Sequence, residues 1–142
     1  MDTVNNGQGN TADGIASATG VNVTITATNS GGSAIFNLSG TGTVTMGSPT
    51  GLLQIGRSNS TTTANSGSFI QTGGSASISN LSIGGGGINN NATTGVLEIT
   101  GGTFAVAGTF NAIAAGPNCS ASILIGGTAD VTLPAFPTGL AV

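Results

Sequence analysis

The chain has 142 residues, enough for one domain and one core. Only 4% of them are charged, against roughly a quarter in ordinary soluble domains. Arg57 is the one base, Asp2, Asp13, Glu98 and Asp130 are the acids, and Lys, His, Trp and Tyr are absent. A net charge of −3 with one basic residue excludes an electrostatic footprint for nucleic acid or anionic lipid, no apolar run approaches the ~20 residues of a membrane helix, and a mean hydropathy of +0.33 argues against a disordered chain.

In chain order, residues 1–20 are mostly Gly, Asn, Thr and Ala with few apolar anchors, a composition that is mobile on its own. Met1 is followed by Asp2, Thr3 and Val4, without the basic start or apolar stretch of a signal peptide. Val21 to Thr28 then alternates strictly. Val21, Val23, Ile25 and Ala27 share one face and Asn22, Thr24, Thr26 and Thr28 the other, which predicts a half-buried strand. Short apolar runs follow at Ile35 to Leu38 and Thr43 to Met46, with Gly40 and Gly42 between them.

From residue 51 the chain repeats itself. Leu53-Gln54-Ile55-Gly56 returns as Leu81-Ser82-Ile83-Gly84, and Phe69-Ile70-Gln71-Thr72-Gly73-Gly74 returns as Leu97-Glu98-Ile99-Thr100-Gly101-Gly102, both landmarks displaced by the same interval. The unit reads as a strand ending in Gly, a polar loop, a second strand, Gly-Gly, and a third strand (Ala76 to Ile78, then Phe104 to Val106). A looser copy runs from Ala112 through Ile123-Leu124-Ile125-Gly126-Gly127 to Leu133. Period-2 alternation with Gly at the corners argues strands, because Gly adopts φ > 0 without steric cost. No 3.6-residue apolar stripe supports a helix. The expected fold is therefore all-β: a short parallel β-solenoid of about 28-residue coils, about five of them, each ~4.8 Å from the next. An antiparallel β-sandwich stays open as the alternative, because strands of five or six residues suit both. The expected division is an N-terminal extension and connector strand over 1–31 and a Gly-rich β-repeat domain over 32–142.

Over about residues 51–133 the pattern Leu-x-Ile-Gly, Gly-x-Leu-x-Ile-Thr-Gly-Gly-Thr-Phe-x-Val resembles the Gly-rich strand repeats of bacterial autotransporter-type passengers and related surface β-solenoid proteins. The resemblance implies a parallel solenoid outside the cell or on its surface, acting as a stalk, adhesin or fibre.

Chemistry is hard to find. Glu98 and Asp130 fall in successive repeats rather than as the paired carboxylates of glycoside hydrolysis. No His serves as a base, and Cys119, the only cysteine, has no His partner and cannot form an internal disulfide, which leaves a buried or surface thiol or, as the alternative, a bridge between subunits. The Gly clusters lack the Lys of a phosphate loop and the recurring Asp of calcium-binding repeats. An enzyme is not expected, nor a catalytic residue, cofactor or metal. The Thr runs Thr24, Thr26, Thr28 and Thr41, Thr43, Thr45 resemble ice-binding arrays, but the offset between them does not match the repeat. Asn-x-Ser/Thr sites at Asn22, Asn37, Asn59, Asn80, Asn91 and Asn118 are the candidate glycan positions.

What remains is self-assembly. So little charge leaves little repulsion between copies, and a solenoid ends in open strand edges. The expected function is a non-catalytic structural subunit of an extracellular or cell-surface filament, a homopolymer joined head to tail by β-strand contacts, with an ice- or glycan-binding module as the alternative. Ile70 occupies the place of Glu98 one repeat earlier, and aligning Gly126-Gly127 with Gly101-Gly102 turns Ile123 and Ile125 outward. These three, with Phe136 and the strand residues Val21, Val23 and Ile25, are the expected subunit contacts. The strand Val21 to Thr28, outside the repeat register, is expected to pair with a neighbouring copy.

Overall fold

A computed structural model describes residues 2–4, 10–12, 15–18, 22–25, 33–46, 48–57, 64–85, 93–111 and 118–135. Among them there is no helix, and the strands come in threes. The first circuit is β1 (Asp2–Val4), β2 (Asn10–Ala12) and β3 (Ile15–Ala18). The second is β4 (Asn22–Ile25), β5 (Ser33–Leu38) and β6 (Thr43–Met46). The third is β7 (Leu52–Arg57), β8 (Asn65–Gln71) and β9 (Ser75–Ile78). The fourth is β10 (Asn80–Gly85), β11 (Thr93–Ile99) and β12 (Thr103–Val106), and the fifth β13 (Phe110–Asn111), β14 (Cys119–Ile125) and β15 (Asp130–Thr132).

Every third strand joins the same sheet. Sheet A is β1-β4-β7-β10-β13, sheet B β2-β5-β8-β11-β14 and sheet C β3-β6-β9-β12-β15. Every pairing between these strands is parallel. This overturns the antiparallel sandwich. Parallel neighbours need a long crossover, and here the other two strands of each circuit supply it.

The repeat interval of the sequence holds between the third and fourth circuits in all three sheets: Leu53 pairs with Leu81, Phe69 with Leu97 and Ser75 with Thr103. Elsewhere it varies, being longer from Phe36 to its partner Phe69 and shorter from Leu97 to its partner Ile123. The strand expected to stand outside the register does not. Asn22–Ile25 pairs with Leu52–Ile55 on one side and with β1 on the other, the step from Val23 to Leu53 being only slightly longer than the repeat. Pairing also crosses residue 31, since β2 pairs with β5 and β3 with β6.

Strand alternation builds the core. Along β8 and β11 alternate residues are buried and more exposed, so one face of each sheet points inward. Leu53, Ile55, Leu81 and Ile83 from sheet A meet Phe69, Leu97 and Ile99 from sheet B and Ile78 and Phe104 from sheet C. The rings stack through the centre: Phe36 lies 5.2 Å from Phe69, and Phe104 meets Phe69 edge-on at 5.7 Å. Parallel sheets normally need both faces covered; here each inner face is covered by the other two sheets. No circuit encloses this core alone, so burial accrues between circuits.

Glycine sets the closest approach. Gly56 and Gly84, the last residues of the Leu-x-Ile-Gly motif, have φ of 70° and 67°. A Cβ at Gly56 would run into the Thr94 carbonyl, and one at Gly84 into that of Ser120. Sheet A can pass this close to sheet B only without side chains there.

Candidate functional site

The outer and inner faces of sheet B run as columns through the circuits. On the outside, Asn37, Ile70, Glu98 and Leu124 stand in register. On the inside, one column is Phe36, Phe69, Leu97, Ile123 and the next is Leu38, Gln71, Ile99, Ile125. Leu97 and Ile99 are fully buried. One circuit later Ile123 is only partly buried against the core, and Ile125 is 43% exposed. Next to them Leu124, on the outer face, is 54% exposed.

Sheet C ends the same way. Ala129, Val131 and Leu133 pack half-buried on the core, and with Ile125, Pro134 and Ala135 they line a depression of ≈ 500 Å³. β14 and β15 are the last strands of their sheets, each with one edge that no other described strand pairs. Among the described residues the fifth circuit thus presents two unpaired edges flanking an apolar interior. Its exposed charge, among the described residues, is Asp130 at the start of β15.

This geometry corrects the expected orientation of two residues. Ile123 and Ile125 do not point outward; they continue the inner columns, and Leu124 takes the outward place above Glu98. The cause is one residue in a corner. Between β11 and β12 the corner is 100–102, and Gly102 in its third place has φ of 78°. Between β14 and β15 it is 126–129, Gly127 in its second place has φ of 61°, and the Ala129 N–H donates to the Gly126 carbonyl (3.3 Å). The same kind of turn joins β5 to β6, where Gly40 has φ of 59° and the Gly42 N–H donates to the Ser39 carbonyl (3.1 Å). Aligning the two Gly-Gly pairs therefore slips the strand by one, and a slip of one turns every side chain to the other face. The signal that finds Leu124 is the likeness of Gly126–Ala129 to Ser39–Gly42 rather than to Gly101-Gly102.

Ile70 does lie on the outer face, half-buried between Asn37 and Glu98. Val23 and Ile25 lie in β4, a strand paired on both sides within the chain. Val21 and Phe136 fall outside the described residues, as do the glycan candidates Asn59 and Asn91. Asn22 lies in β4, Asn37 on the outer face of β5, and Asn118 is exposed beside β14. Asn80 is engaged instead. Its Nδ2 donates to the carbonyls of Pro49 (3.0 Å) and Gly51 (2.9 Å), and its Oδ1 accepts from the Thr109 N–H (2.9 Å) and hydroxyl (3.0 Å). It staples successive circuits, and a glycan on Nδ2 would break the staple.

Of the Thr runs, Thr24 lies in sheet A and Thr43 and Thr45 in sheet C, so they form no common plane. Hydroxyls align on sheet C, with Thr43, Ser75 and Thr103 in one column and Thr45 and Ser77 in the next, and on sheet B, with Ser33, Ser66, Thr94 and Ser120 in one column. Glu98 belongs to sheet B and Asp130 to sheet C. Comparison with family models, curated proteins and solved structures gives no match.

Proposed function

We propose that the rotation through three parallel sheets is a β-solenoid of five coils, and that the chain is a non-catalytic structural subunit of an extracellular or cell-surface filament that adds copies of itself head to tail. One observation supports this above the others. The inner columns, fully buried at Leu97 and Ile99, run on into Ile123 and Ile125 with no further described strand to cover them. Unpaired strand edges beside an apolar interior are templates for another chain, and Asp130 is the one exposed acid on the described part of that circuit. Because all described strand pairs are parallel, the edges that the described strands leave unpaired on the fifth circuit and on the first are complementary rather than identical. Such heterologous contacts propagate unless their rotation closes.

Sedimentation across a concentration series, with negative-stain microscopy of the same samples, tests the reading. Filaments with an axial repeat near ~24 Å, five spacings of ~4.8 Å, are the expected result. A chain that stays monomeric at every concentration overturns it. The alternative, an ice- or glycan-binding module, has the hydroxyl columns of sheets B and C in its favour; retention on ice or on a glycan array by the monomer would select it.

A further inference from the structure

Resting on the filament reading above, we infer that the junction between copies continues sheets B and C in register, with Leu124 of one copy beside Thr11 of the next. Thr11 stands in register with Asn37, at the start of the column Asn37, Ile70, Glu98, Leu124. A second copy placed one strand spacing beyond β14 brings Thr11 to the next place in that column.

Residue size points the same way. The residues in register with Phe36 and Leu38 in the first circuit are Asn10 and Ala12, and those in register with Val44 and Met46 are Ala16 and Ala18. The fifth circuit offers Ile123 and Ile125 in sheet B and Val131 in sheet C. Stacking the fifth circuit on the first sets Ile123 in register with Asn10, Ile125 with Ala12 and Val131 with Ala16, each a bulkier residue against a smaller one. Stacking two fifth circuits on each other sets β14 against its own copy, Ile123 facing Ile125 where Leu124 meets Leu124, and makes an antiparallel pair in a molecule whose described pairs are all parallel. Sheet A contributes less. β13 has two residues, and the first-circuit residue in register with Val23 is Asp2, a charge on the line that leads to Phe110.

Engineered cysteines read the register directly. In a Cys119→Ser background, Thr11→Cys and Leu124→Cys are combined in the full chain and oxidised. Parallel neighbours hold Cα atoms ~4.8 Å apart, inside the ~4.4–6.8 Å that a disulfide spans. The expected result is a ladder of covalent oligomers on a non-reducing gel, absent from either single variant. Leu124 is exposed, and circular dichroism checks that each variant keeps its strands. Filaments by microscopy without a ladder, or a ladder from Thr11→Cys paired with Ser122→Cys instead, overturn the register and leave the filament standing. Covalent dimers from Leu124→Cys alone show tail-to-tail association and overturn the register and the head-to-tail reading together. Monomers throughout overturn both as well.

Discussion

Three glycines separate two costs that close packing of these parallel sheets imposes on the chain. Gly126 has no positive φ and open space where a Cβ would stand. Gly40 has φ of 59° and nothing within 4 Å of that point. Gly84 combines φ of 67° with the Ser120 backbone directly in the way. Alanine at Gly126 is expected to leave stability unchanged or raise it by about 0.4–1 kcal/mol, because it restricts the unfolded chain. Alanine at Gly40 incurs about 1–2 kcal/mol of left-handed strain, offset by that same restriction, for a net loss near ~1 kcal/mol. Alanine at Gly84 carries the same strain and also forces sheets A and B apart, an overpacking of about 1–3 kcal/mol, for a net loss of roughly 2–4 kcal/mol. With a urea slope near ~2 kcal/mol per molar, the midpoint falls by about 0.5 M for Gly40→Ala and about 1–2 M for Gly84→Ala. The assay is urea unfolding followed by circular dichroism, at concentrations where the chain sediments as a monomer. Equal midpoints for the Gly40 and Gly84 variants would refute the close passage of sheet A under the next circuit of sheet B.

Three further outcomes are expected. Asn80→Asp loses both Nδ2 donors and turns a carboxylate toward the carbonyls of Pro49 and Gly51; a cost of about 2–3 kcal/mol lowers the melting temperature by roughly 5–10 °C, and an unchanged melt, or glycan found on Asn80, counts against the staple. Gln71 is fully buried, donates from Nε2 to the carbonyls of Thr103 (3.0 Å) and Gly74 (3.4 Å), and leaves Oε1 without a partner; Gln71→Met keeps the shape and removes the orphan, so stability holds or rises by up to ~1 kcal/mol, whereas a clear loss by urea unfolding assigns the net weight to the Nε2 bonds. Leu124→Lys sets an ammonium beside Glu98 and leaves the monomer melt unchanged; at the proposed junction it raises the critical concentration for assembly at least about tenfold, ~1.4 kcal/mol, and an unaltered critical concentration places Leu124 outside the contact.

Much of the architecture is legible because the chain states it twice. The Leu-x-Ile-Gly and Gly-Gly landmarks move by one interval, and that interval is the register of Leu53 on Leu81 and Phe69 on Leu97. Parallel against antiparallel is not legible, because alternation in a short strand is the same in both. The strand at Asn22–Ile25 falls outside the stack only when a fixed period is demanded of it. Backbone pairing needs strands of matching face, not equal spacing, and the loops and corners absorb the difference between the long step from Phe36 to Phe69 and the short one from Leu97 to Ile123. Asn80 reads as a surface sequon because its partners are remote in sequence, at Pro49, Gly51 and Thr109.

The phase of the fifth circuit shows where such a sequence carries its information. A strand has two faces and a period of two, so one residue more in a corner exchanges core for surface along the whole strand that it joins. Between β14 and β15 that residue is taken up in the turn Gly126–Ala129, closed by its own backbone bond, and the Gly-Gly pair that resembles a landmark sits in a different phase of the corner. The consequence reaches the proposed function. With Ile123 and Ile125 outward, the end of the stack would have shown Leu124 as its interior residue, one bulky side chain flanked by Ser120 and Ser122 turned inward with it. With the observed phase it shows Ala121, Ile123 and Ile125 inward, continuing the columns of Leu97 and Ile99 beneath them. An interior that stays apolar up to its last described strand is the face that another copy of the chain has most reason to cover, since it removes from water what no further described strand of its own circuit does.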